Sequence, residues 1–176
     1  YITNESPKIE NCVISDNGNY GIYINNGTPI ISNNTFSENN GYDVYYNACT
    51  GGSVSGNIFE HGLYVNSGTI GSISSNTFNY DESFPLRLPA GNVGEVLASS
   101  TFSGVSPETI LEVVAGTITK DSVWPNDFTY EITGNIKVAG KDGDDEVTTL
   151  TIKPGTVLKF NNNCNLIIGN RYNSYD

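Results

Sequence analysis

Residues 23–36 read YINNGTPIISNNTF, and residues 1–14 read YITNESPKIENCVI, the same phrase 22 residues earlier. Residues 64–78 give it a third time as YVNSGTIGSISSNTF, with one residue added. A period near 22 is too long for a hairpin register and too short for most helical repeats. It suits one turn of a solenoid.

The repeat resolves into columns. Ile9, Ile31, Val54, Ile73 and Leu97 each open a short run, and Ile14, Phe36, Phe59, Phe78 and Phe102 follow five residues later. Two positions before the latter stand Cys12, Asn34, Asn57, Asn76 and Ser100. Apolar pairs flank an outward position in Ile22/Ile24, Val44/Tyr46, Leu63/Val65, Leu86/Leu88 and Leu111/Val113. A glycine follows three residues after the pair at Gly27, Gly68, Gly91 and Gly116, with Cys49 in its place once. Counted from Ile22, successive coils span 22, 19, 23 and 25 residues, so one corner takes the insertions.

Alternation at period two predicts short half-buried strands rather than helices. Equivalent residues then stack about 4.8 Å apart, and apolar columns fill a bore. Stacked asparagines at a bend can bond each other's amides and satisfy buried backbone there. The columns predict a parallel β-helix, and they resemble the right-handed β-helix, pectin-lyase-like superfamily. The likeness is close over residues 1–117 and looser beyond. It is the resemblance that implies a right-handed coil.

Two units are expected: β-helix coils over 1–117, then a linker and the first rungs of a second β-helix-like unit over 118–176. Residues 118–130 carry the only Trp and read as a linker or a cover over the bore. Period-two runs return after it. Residues 150–160, LTIKPGTVLKF, resemble the opening rungs of β-helix units in large secreted or cell-surface proteins, where they follow segments like 130–138. Met is absent, position 1 included, and the first residues fall mid-coil. The protein is therefore expected to extend past both ends of the sequence, and a signal peptide upstream would fit.

Charge narrows the partners. Lys plus Arg number 8 and the net charge is −11, which argues against nucleic acid and anionic membranes. No apolar run is long enough to insert in a membrane. Cys12 and Cys49 fall in the columns of different bends, and with Cys164 the three make an odd set, read as small buried thiols with the redox compartment open. Asn4, Asn26 and Asn33 head glycosylation sequons.

Among candidate sites, Tyr23, Tyr45 and Tyr64 lie between inward residues and form an outward column, continued by Arg87 and Glu112. Such a row can hold sugar rings or pack on a partner, or it can simply stabilise a sheet face. A neighbouring column of Tyr20, Tyr42, His61, Phe84 and Thr109 is expected to pack under the corner. Asp142, Asp144, Asp145 and Glu146 cluster in one turn, which can hold Ca²⁺ through oxygen ligands or be a solvated turn. Asp81 and Glu82 are a weaker candidate of the same kind.

The resemblance implies that an enzyme of the superfamily would carry grouped aspartates or a basic residue with Ca²⁺. The coils over 9–117 offer one Arg, one His and no Lys, and no catalytic residue is carried over. The expectation is a non-enzymatic structural or adhesive segment of an extracellular or cell-surface repeat protein. It would bind a glycan, a cell-wall polymer or neighbouring subunits through the tyrosine row. The alternative is part of a polysaccharide lyase or glycoside hydrolase whose catalytic coils lie outside this chain.

Overall fold

The computed structural model describes residues 1–79, 86–141 and 144–169. It is a β-solenoid whose sheets are parallel throughout. The longest sheet stacks eight strands: Ile2–Thr3, Ile22–Asn25, Val44–Asn47, Leu63–Val65, Leu86–Pro89, Ile110–Val114, Thr129–Ile132 and Val157–Phe160. Ile22 pairs with Val44 and Val44 with Leu63. Leu86, Leu111, Tyr130 and Leu158 continue that column.

Two further sheets close the early coils. One runs through Lys8–Glu10, Ile30–Ser32, Ser53–Ser55 and Ser72–Ser74. The other runs through Val13–Ser15, Thr35–Ser37, Ile58–Phe59, Thr77–Asn79 and Thr101–Ser103. In it Phe36, Phe59, Phe78 and Phe102 stack at centroid separations of 5.1, 5.0 and 5.3 Å. Each ring removes apolar surface from water worth about 2 kcal/mol, and each stacked pair adds roughly 1 kcal/mol.

The bend between these sheets is built from asparagine. Asn34 Nδ2 donates to Asn57 Oδ1 and Asn57 Nδ2 to Asn76 Oδ1, both at 3.0 Å. Asn34, Asn57 and Asn76 Oδ1 accept the backbone N–H of Cys12, Asn34 and Asn57, respectively, from the rung before. Asn34, Asn57 and Asn76 are buried. Asn11, Asn33, Gly56 and Ser75, one residue earlier, hold the left-handed backbone that makes the corner. At the other bend Gly68 pairs with Cys49 and holds φ +96°; a Cβ there would lie 1.9 Å from the Cys49 carbonyl oxygen. Only glycine fits.

One element departs from the all-strand expectation. Residues Ala90–Ser99 form a helix, α1, in the rung where Leu97 was expected to open a strand. It stands between the strand Ser72–Ser74 and the strand Ser122–Trp124, packing on both. Ala90, Val93 and Val96 face the bore at helical spacing. A helix offers no ladder to a strand edge, so side chains do the pairing. Asn92 Nδ2 donates to the Ile70 carbonyl at 2.8 Å, and Asn92 Oδ1 accepts the Ile70 N–H at 3.4 Å. Ser99 Oγ donates to the Ile73 carbonyl at 3.3 Å.

The long sheet runs on past Thr117 without a break in register: Glu112 pairs with Glu131 and Glu131 with Lys159. Residues 118–130 supply the strand Ser122–Trp124 and place Trp124 and Phe128 in the core. Trp124 stacks on Tyr130 at 4.9 Å, and the Tyr130 hydroxyl donates to the Pro125 carbonyl at 2.9 Å.

Candidate functional site

The outward column of the long sheet is the most distinctive surface. Strand register brings Tyr1, Tyr23, Tyr45 and Tyr64 over one another. Their rings stack at 4.4, 5.3 and 4.7 Å, tilted against each other by only 6–15°. Tyr1 joins the three tyrosines expected from sequence. The neighbouring Tyr20 and Tyr42, expected under the corner, instead lean on this row. Tyr20 lies 5.6 Å from Tyr23 and 4.7 Å from Tyr45, and Tyr42 lies 4.7 Å from Tyr64. Phe84 of that column, with Asp81 and Glu82, lies outside the described residues.

Stacking decides what the row can offer. Near-parallel rings about one rung apart spend their faces on each other, so edges and hydroxyls remain for a ligand. Burial, then the neighbouring tyrosines, raises the Tyr45 phenol above its ordinary value, so Tyr45 stays uncharged at neutral pH. Arg87 closes the stack, its guanidinium 4.8 Å from the Tyr64 ring centre and paired with Glu112.

A second column borders the first. Asn25, Asn47 and Asn66 follow Tyr23, Tyr45 and Tyr64 by two residues and share the outward side of the sheet. Asn47 Nδ2 donates to Asn25 Oδ1, and Asn66 Nδ2 to Asn47 Oδ1, both at 2.9 Å. Sequence reasoning passed over these residues among many asparagines. Their signal was the thrice-repeated Tyr-x-Asn, at residues 23–25, 45–47 and 64–66. At one end of the face, Tyr1, Asn17, Asn19, Tyr20, Gly21 and Tyr23 line a hollow of about 440 Å³ with open sides.

Asp43, also missed, supports the corner beneath. It is fully buried; Oδ2 accepts the N–H of Glu60 at 2.8 Å and of His61 at 2.7 Å, and Oδ1 accepts Asn39 Nδ2 at 2.8 Å. Burial raises its carboxyl above the ordinary value against the pull of those hydrogen bonds.

The other sequence candidates are scattered. Asp144, Asp145 and Glu146 are exposed, while Asp142 lies outside the described residues. Glu146 pairs with Lys141 at 2.6 Å, and Asp145 Oδ1 accepts the Val147 N–H at 3.1 Å. Among the described residues no group of three or more His, Cys, Asp or Glu is placed to hold a metal ion. Asn4, Asn26 and Asn33 are exposed, and Asn26 Nδ2 donates to Asn4 Oδ1 at 3.1 Å. Cys49 is buried as expected, and burial pushes its thiol up to about 11. Cys12 departs from the expectation of a buried thiol: it is exposed. No helix among the described residues is long and apolar enough to cross a membrane.

Comparison with curated proteins and with solved structures finds no match. A family model described as "Right handed beta helix region" matches residues 1–109, more than half of the sequence. Coil, register and bends agree with that match, and the chain belongs to the right-handed β-helix family.

Proposed function

We propose that this chain is a non-catalytic binding scaffold of an extracellular or cell-surface protein, and that its tyrosine face takes an extended glycan. The observation that carries the reading is the unbroken column Tyr1, Tyr23, Tyr45 and Tyr64, thickened by Tyr20 and Tyr42. Aromatic edges, hydroxyls and amides together suit a polar, hydroxyl-rich ligand. The carboxylates beside the face are already engaged: Glu112 with Arg87, Asp43 with three N–H donors. A side chain so held is not poised as a general acid or base.

Retention on a panel of insoluble plant, fungal and bacterial wall polysaccharides tests this. The chain is expected to co-sediment with at least one. The triple variant Tyr23→Ala, Tyr45→Ala, Tyr64→Ala, checked by circular dichroism for a retained β spectrum, is expected to stay in solution. Equal retention of both proteins, or of neither, would count against the reading.

A further inference from the structure

We infer that the tyrosine face binds a neutral β-linked polysaccharide laid along the solenoid axis, held by phenol hydroxyls and the adjoining amide ladder rather than by ring faces. This rests on the scaffold reading above and names its ligand.

Three observations carry it. The first is direction. The same pair of groups, phenol and amide, recurs on the rungs of Tyr23 and Asn25, Tyr45 and Asn47, and Tyr64 and Asn66. A partner lying across the rungs would meet one such pair and then different chemistry. A polymer lying along the axis meets a new pair at every rung. Ring separations of 4.4–5.3 Å set the repeat, and the rise per sugar of an extended β-linked chain falls in the same range.

The second is hydrogen-bonding capacity. A primary amide has two N–H donors and an oxygen with two lone pairs. Asn47 uses one N–H on Asn25 and one lone pair on Asn66. The ladder fixes the amide planes and leaves the remaining donor and acceptor to a ligand. Sugar hydroxyls, which donate and accept, match that alternation. The ring faces are unavailable because the rings are stacked on one another.

The third is charge. On the aromatic rungs the outward side chains are those of Tyr1, Thr3, Tyr23, Asn25, Tyr45, Asn47, Tyr64 and Asn66, none of them a carboxylate, an amine or a guanidinium. The bordering cation, Arg87, is mostly buried and committed to Glu112. With a net charge of −11 over the chain, a polyuronate would meet repulsion and, on these described rungs, no cationic side chain.

Isothermal titration with cellohexaose, xylohexaose and chitohexaose in the N-acetylated form, beside hexagalacturonic acid, tests the inference. At least one neutral hexamer is expected to bind and the acidic one not. Tyr45→Phe keeps the stack and drops one hydroxyl; it is expected to weaken binding roughly fivefold, as does the exposed Asn66→Ala. Thr101→Ala, on another sheet, is expected to bind like the parent. Binding unchanged in Tyr45→Phe and Asn66→Ala would overturn the hydroxyl and amide mode. Tighter binding of hexagalacturonic acid would overturn the neutral class while the scaffold reading stands. If no hexamer binds yet the wall polysaccharide still retains the chain through its tyrosines, the inference falls alone; if that retention is absent too, both fall.

Discussion

Tyr46 stands in an inward column with Ile2, Ile24, Val65, Leu88, Val113, Ile132 and Phe160. It is fully buried, and its hydroxyl meets no hydrogen-bond partner. Burial raises its phenol well above the usual tyrosine range. A buried hydroxyl without a partner costs stability, so Tyr46→Phe is expected to stabilise the fold by about 1 kcal/mol. Urea denaturation of both proteins measures this; a loss of stability would show that the hydroxyl is satisfied after all. The alternation around Val44 already says that Tyr46 points inward. It does not say that the hydroxyl goes unpaired, because the surrounding atoms belong to rungs about 20 residues away in sequence. The same holds for Asp43: nothing local marks it as the acceptor for Glu60 and His61.

At the scale of elements, the asparagine bend and α1 make opposite lessons. The bend was legible because its residues recur: Asn34 bonds Asn57, Asn57 bonds Asn76, and the oxygens of Asn57 and Asn76 cap the backbone of the rung before. Asn57 also donates to the Ile31 carbonyl at 2.9 Å. Asn57→Ala would strand several buried groups at once and is expected to cost about 3 kcal/mol or more. Asn66→Ala, on the exposed ladder, is expected to cost less than about 1 kcal/mol. Equal losses in chemical denaturation would show that burial does not set the value of these amides. The helix α1 was hidden because ten residues give only three turns, and Leu97 fitted a strand column equally well. Contact decided it. Gly94 lets the helix approach the strand Ser122–Trp124 so closely that a Cβ would lie 2.1 Å from Ser122 Oγ, and Asn92 takes over the pairing of Ile70.

At the scale of the whole molecule, a solenoid is held rung by rung, so stability is shared between neighbours instead of one central core. Val157, Phe160 and Ile168 are 44%, 41% and 71% exposed, whereas Leu63, Leu88 and Val113 are fully buried. Native-state hydrogen exchange is expected to protect the amides of Leu63–Val65, Leu86–Pro89 and Ile110–Val114 most and those of Val157–Phe160 least. Uniform protection along the axis would mean that the coil opens as one unit. The sequence by itself determined the period, the inward columns and the two kinds of bend, because a stacked coil demands the same residue at the same place in each turn. Only the tertiary structure decided how the tyrosine faces are spent, which amides border them and where a helix stands in for a strand. It also carried the long sheet through Thr129–Ile132 and Val157–Phe160, where coil lengths drift. These outcomes depend on contacts between turns, and the spacing of such contacts is set by three-dimensional register and not by any local pattern.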